Sequence, residues 1–336
     1  MKFNDFYTSA PMRYWQPKKE NKIELDILEN PNKYKDYIGS YKRDGEWTRM
    51  LVDENRNVTF QSRSISKVTG QYGDKTDLLP HLTKYIAEDS INFPNNSVFL
   101  GELCFFDDLS KISTDVGSIL RCKAPKAIER QKNGTPLTFY IFDCVCYNGE
   151  DISGLGFCNR IEKVKNLKID FPFIKQAEYK NIYTIVEEYD NYLKDGGEGF
   201  VLVDKNADYV PGSRTAWKTI KLKKFTSEKE LKVVGTVDPK REYTGKELDG
   251  WQYYDNGEPV TKKYYNGWKA GVAVDYNGVV VKVTSGVSDA DAEWLASDVA
   301  AEKIKNGELY AIVSAMEETN DGSLRHPYLI GLREDM

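Results

Sequence analysis

Polar and apolar residues alternate along GSYKRDGEWTRMLVD from Gly39 to Asp53. A polar turn follows at Glu54-Asn55-Arg56-Asn57, and VTFQSRS then continues the ladder, so the stretch reads as strand, turn, strand with the lysine at the head of a sheet. Two longer apolar runs, SVFLGELCFF and LTFYIFDCVCY, predict strands buried on both faces. Between Asn181 and Lys194 the period changes: Ile182, Val186, Tyr189 and Leu193 recur at helical spacing, with Asn181 as cap and Gly196-Gly197 as stop. A short strand, Glu198 to Val203, follows at once.

Beyond Phe225 the texture shifts to short glycine-punctuated runs, LKVVGTV, AGVAVDY and GVVVKVT. A helix is then predicted from about Asp289 to Lys305, capped by Ser288 and stopped by Gly307. This series suggests a small Greek-key barrel and places a domain boundary near residue 226, giving domains 1–226 and 227–336. The stretch from Lys240 to Trp268 is long for a barrel connection and reads as a surface excursion.

Composition narrows the chemistry. With 336 residues, 40% of them hydrophobic and 29% charged, the chain has the make-up of a globular protein with room for two domains. No run reaches the roughly 20 apolar residues of a membrane span, and the first residues lack a secretory pattern, so a cytoplasmic monomer without membrane association is expected. Five cysteines without a Cys-x-x-Cys pair disfavour a disulfide framework or zinc knuckle. Two histidines, His81 and His326, leave little for a hydrolase triad or a histidine metal site. The net charge of −5 speaks against a general nucleic-acid coat, yet RTAWKTIKLKK, from Arg214 to Lys224, holds five basic residues and no acid.

Within the strand pattern lies Lys42-Arg43-Asp44-Gly45, followed in order by Glu102, Phe142-Asp143, Glu198-Gly199 and Lys221-Leu222-Lys223. A lysine attacks phosphorus only as the free amine, and an unperturbed ammonium of pKa about 10.4 is only about 0.1% deprotonated near neutrality. Further lysines and a divalent cation in one pocket would drive the proton off. They would also neutralise charge on the phosphoryl oxygens in flight.

This ordered set resembles the ATP-dependent DNA ligases, from about Ser40 to the C-terminus. The tail, Met316 to Pro327, resembles in particular the small ligases of podophage-type bacteriophages, in which case the host cytoplasm is the expected location. The resemblance implies an α+β protein: a nucleotidyltransferase domain, ATP-grasp-like with mixed antiparallel sheets and helices, joined to a smaller OB-fold β-barrel. It implies sealing of 5′-phosphate/3′-hydroxyl nicks in duplex DNA with ATP and Mg²⁺ (or Mn²⁺), in replication, repair and recombination.

By the same resemblance, Lys42 is the nucleophile that becomes lysyl-AMP, and Lys221 and Lys223 contact the α-phosphate. Glu102 holds the ribose and assists the metal, which Glu198 coordinates. Phe142 stacks on adenine, with backbone groups of Tyr41 aiding base selection. Arg63 grips the 5′-phosphate of the nick, Arg214 joins the DNA contacts, and Arg333 with Asp335 orients pyrophosphate.

Three positions depart from the family pattern. Trp47 stands where many relatives carry arginine, with Arg49 one strand repeat on as the expected substitute. Ser40 replaces an acidic residue near adenine, and Met336 replaces a closing lysine, so a slower first step is expected. The tail's Leu324-Arg325-His326-Pro327 weighs against an RNA ligase, the missing lysine against an RNA-capping guanylyltransferase, and the intact lysines and glutamates against a non-catalytic nick binder.

Overall fold

The computed structural model describes residues 1–17, 22–66, 69–88, 93–111, 113–223, 228–245, 250–315, 317–318 and 322–334. Lys224, Met316, Thr319, Asp321, Asp335, Met336 and the boundary near residue 226 lie outside the described residues. The chain divides into two compact units, Met1–Lys224 and Phe225–Met336. Among the described residues no helix is long and apolar enough to cross a membrane.

The first unit is built on two sheets. One runs in the order Arg13–Trp15, Arg214–Leu222, Phe200–Asp204, Tyr37–Tyr41 and Lys180–Asn181. The other centres on Val58–Ile65, Glu46–Val52, Ser97–Cys104 and Thr138–Tyr147, paired antiparallel in that order. The helix Ile182–Lys194 covers the first sheet with Ile182, Ile185 and Tyr189, and the Asn181 side chain accepts from the Thr184 amide at its start. That is the capping the sequence announces, and it satisfies one of the otherwise orphaned amides of the first turn.

The strand, turn, strand reading holds in Glu46–Val52 and Val58–Ile65, but the alternation of polar and apolar residues does not divide solvent from core: every residue from Thr48 to Val52 is buried. Met50 and Val52 face one core with Phe60 and Phe99. Leu51 faces another core, made by Phe3, Phe6 and Met12 of the N-terminal segment. That segment lids the face the pattern would leave to solvent.

In the second unit a five-stranded antiparallel sheet runs Val279–Val283, Gly271–Tyr276, Lys229–Val237, Leu309–Ser314 and Tyr328–Glu334. A bridge between Ser285 and Tyr328, with the Leu329 amide donating to the Ser285 carbonyl at 2.8 Å, links the first strand's end to the last strand and closes the sheet on itself. Valines 233, 272, 274, 281 and 283 with Leu309 and Leu329 fill the interior.

The single helix expected from Asp289 to Lys305 is two helices, Asp289–Trp294 and Asp298–Asn306. Ser297 interrupts it by accepting from the Ala300 amide as a second N-cap, a bond that needs extended backbone at Ser297. The 240–268 excursion holds a small hairpin, Tyr254–Asp255 with Glu258–Pro259, and a helical turn, Lys262–Tyr265.

Candidate active site

The two sheets of the first unit are joined by the Lys42–Gly45 loop. Strand Tyr37–Tyr41 pairs with Phe200–Asp204 so that the Lys42 amide donates to the Gly199 carbonyl at 2.8 Å. The chain then crosses to Glu46–Val52, where Trp47 lies opposite Glu102. A side chain at Gly45 would put its Cβ 2.2 Å from the Leu103 carbonyl and 2.9 Å from the Glu102 Cγ, so only glycine lets the loop lie against that strand. Gly199 carries φ +120°, and a Cβ there would meet the Leu222 carbonyl at 2.2 Å. Both glycines are therefore steric requirements for bringing Lys42, Glu102, Glu198 and the Lys221–Lys223 strand end together.

Their charges interact closely. The Lys42 Nζ donates to one carboxylate oxygen of Glu198, and the Lys223 Nζ stands 4.0 Å from the other. Burial pushes the Glu102 carboxyl up to about 8, with Lys42 and Lys221 pulling it down and Glu198 and Asp44 pushing it up. Lys221 is pushed down to about 8 by burial first, then by Lys42, Arg63 and Lys223, against the pull of Glu102. The site thus holds a carboxyl group short of positive charge beside an ammonium that sheds its proton readily. That pairing suits chemistry on a phosphoryl group, whose charge the lysines can meet.

The other expected residues fall in different places. Arg63 is exposed on Val58–Ile65 and near enough for its charge to bear on Lys221. Arg214 is exposed at the opposite end of the strand that carries Lys221. Arg333 belongs to the second unit, where its Nη1 meets Glu230 at 2.9 Å.

Phe142 is half-buried, with Tyr14 at a ring distance of 6.0 Å, and its carbonyl accepts from the Tyr179 hydroxyl at 2.6 Å. Asp143, its motif companion, points into the core and takes two 3.0 Å bonds from the buried Arg160 guanidinium, which also donates to the Leu155 and Ala207 carbonyls. The Tyr41 ring packs on Tyr192 and Phe200 and its hydroxyl donates to Glu188, so its side chain serves the helix-covered face. Ser40 is buried, close enough for its side chain to bear on the hydroxyls of Tyr140 and Tyr179.

Arg49 does not substitute for the arginine missing at position 47. It is buried, its Nε donates to Gln61 at 2.8 Å, and its terminal nitrogens donate to the carbonyls of Ser9 and Tyr7 at 2.8 and 2.9 Å. The guanidinium anchors the N-terminal segment, and a buried arginine with those acceptors is not available to a phosphate.

Two features escape sequence reasoning. Arg43, the variable residue of the tetrad, lays its guanidinium 4.2 Å from the centre of the Phe106 ring. Its Nε has no partner among the described residues. It lines a cavity of about 1130 Å³ with Tyr41, Phe106, Tyr140, Lys175 and Tyr179, beside the Lys42 loop. Tyr14 comes from the N-terminal strand Arg13–Trp15, ahead of every motif in the sequence, and reaches Phe142 only through the fold.

Residues 21–223 match the model of the family described as the ATP dependent DNA ligase domain. The DNA ligase of Sulfolobus acidocaldarius is 27% identical over 269 residues, 76% of this chain and 40% of the relative. That of Thermoplasma volcanium is 29% identical over 193 residues, 55% of this chain and 30% of the relative. The chain therefore spans well under half the length of these curated relatives. Among solved structures, one described as DNA binding with a minimal scaffold, from work on Lig E DNA ligases, superposes with a TM-score of 0.62 at 18% identity. It covers 96% of this chain and 99% of that one, and the likeness is one of fold.

Proposed function

The chain belongs to the ATP-dependent DNA ligase family, and from that membership we propose that it seals nicks in duplex DNA with ATP, through a lysyl-AMP intermediate. The observation that carries this reading is the meeting of Lys42, Glu102, Glu198, Lys221 and Lys223 where the two sheets join.

In the first step the Lys42 amine attacks the α-phosphorus of ATP, a P–N bond forming as the bond to pyrophosphate breaks. Lys42 must first part from Glu198, and the neighbouring Lys221 and Lys223 keep positive charge in the pocket when it does. In the second step an oxygen of the nick's 5′-phosphate displaces the lysine, and in the third the 3′-hydroxyl attacks that phosphate and AMP departs. Each is an in-line transfer in which the protein positions groups and meets charge.

Glu102 and Glu198 are the residues suited to Mg²⁺. Among the described residues no set of three ligating side chains is present, and two carboxylates with waters and substrate oxygens are the donor set Mg²⁺ prefers. Glu102 is raised chiefly by its burial, and a divalent ion between it and Glu198 would favour the ionised form of both carboxylates. Bound there, Mg²⁺ would contribute Lewis-acid charge neutralisation on the phosphates.

Phe142 is assigned to the adenine face, Tyr41 to base selection through its backbone, and Arg63 to the 5′-phosphate of the nick. Arg214 is assigned to the duplex, and Arg333 to pyrophosphate from the second unit. That unit is read as an OB-fold on the strength of its closed five-stranded sheet.

Incubation with α-³²P-ATP and Mg²⁺, followed by a denaturing gel, tests this reading. Wild type is expected to retain label and Lys42→Ala to retain none, with the label discharged when a nicked duplex is added and sealed. An unlabelled wild-type band would refute the first step.

A further inference from the structure

The strand Arg214–Leu222 has two neighbours. With Phe200–Asp204 it pairs antiparallel and in register from Thr219 to Leu222. With Arg13–Trp15 it pairs parallel, but the register jumps: Arg13 lies opposite Arg214 and Tyr14 opposite Thr215, whereas Trp15 lies opposite Ile220. Residues 216–218 therefore loop out between two paired positions, while Thr219 is back in the ladder opposite Val203.

At the centre of the bulge sits Trp217, with φ +70°. The left-handed region is unfavourable for a bulky side chain, and Trp217 is the one apolar residue among the described non-glycine residues that occupy it. The conformation is held from around it. The Tyr37 hydroxyl donates to the Trp217 carbonyl, the Trp15 amide to the Thr219 hydroxyl at 3.2 Å, and the Arg13 amide to the Ser213 carbonyl at 2.8 Å. Nothing in the core benefits, because the Trp217 side chain is 49% exposed. Its ring leans on Trp15, 4.9 Å away at 52°, which fixes its orientation toward solvent. A strained residue that neither fills the core nor needs the turn is the pattern of a binding residue.

The charges around it indicate the partner. Arg13 and Arg214, opposite each other at the start of the pairing, are both exposed, and no acid occurs in the strand from Arg214 to Leu222. An exposed aromatic face on the same two strands as two exposed arginines combines apolar contact for deoxyribose with phosphate contacts, which hold a sugar–phosphate backbone without reading sequence. The same strand carries Lys221, four residues on, so the bulge and the phosphate-facing lysines belong to one element.

We propose that Trp217, backed by Trp15 and sharing its two strands with the exposed Arg13 and Arg214, is a DNA-contact platform that holds the duplex beside the nick. This rests on the nick-sealing reading above and extends it to residues 13–17, which precede the family match at residue 21. The platform contributes affinity for the duplex and no sequence preference.

The test is the Kd of the full chain for a fluorescein-labelled nicked duplex, by anisotropy, alongside sealing of the same substrate. Trp217→Gly should raise Kd about tenfold. Its melting temperature should not fall, since glycine accepts φ +70° without strain. Trp217→Phe, which keeps an aromatic face, should bind within about threefold of wild type. Arg13→Ala with Arg214→Ala should flatten the slope of log K against log salt by about 2.

A Trp217→Gly protein that binds like wild type, a Trp217→Phe protein as weak as the glycine variant, or an unchanged salt slope each overturns the platform. If wild type still seals nicks, the ligase reading survives that result. If wild type itself neither binds nor seals nicked DNA, both readings fall.

Discussion

Replacing Gly199 by alanine adds one methyl group at the point where three strands converge. The added Cβ would lie 2.2 Å from the Leu222 carbonyl and 3.0 Å from the Lys223 Cα, at a φ of +120° that alanine does not tolerate. To reach ordinary contact the Leu222 carbonyl must retreat by about 1 Å. Leu222 sits between Lys221 and Lys223, so both lysines move with it, and a 1 Å misplacement in a site that works by positioning costs about 100-fold in rate.

The assay is the single-turnover rate of lysyl-AMP formation under excess ATP. Two further variants separate the contact from the backbone strain. Gly45→Ala adds a Cβ 2.2 Å from the Leu103 carbonyl without a positive φ, and should also impair the reaction. Gly70→Ala has φ +67° and open space around it, and should cost some stability while leaving the rate intact. A Gly199→Ala protein labelling within about threefold of wild type would refute the claim that this close approach places the lysines.

Two further outcomes follow from groups near the same loop. Glu102 is raised from 4.5 to about 8, so the folded state binds its proton more tightly and the associated stability is lost as pH rises between those values. Lys221 is lowered from 10.5 to about 8, so its associated stability is lost as pH falls through that window. Metal-free protein should therefore show a dip in urea stability near pH 8. Glu102→Gln should remove the acid limb of the dip and Lys221→Met the alkaline limb, and a profile unaltered by either sinks the assignment. Arg49→Met should leave the Gln61, Ser9 and Tyr7 acceptors unsatisfied and lower stability by about 3 kcal/mol. Equilibrium unfolding reads that loss, and limited proteolysis should show earlier cleavage before residue 13; an unchanged midpoint would show that the anchor is dispensable.

Local residue order was enough to pick out residues that the fold brings together around Lys42, because strand alternation and the glycines beside them restrict spacing. Lys221 and Lys223 share a face because they are two apart, and Glu198-Gly199 is legible because a glycine follows a helix stop and opens a strand. The cap at Asn181 was readable for the same local reason. The second cap at Ser297 was equally local but lay inside an apolar pattern that masked it.

The destinations of the long side chains depend instead on the assembled fold. Arg49 and Trp47 occupy one strand face, yet Arg49 is claimed by carbonyls some forty residues earlier in the chain. Asp143 reads as half of a nucleotide motif until Arg160 arrives from another element to bury it. Trp217 reads as one more aromatic in a basic strand, and its exposure depends on a register set by residues 13–15. Motif chemistry is written in neighbours along the chain, whereas burial, pairing and strain are set by residues far apart in sequence that the fold brings into contact.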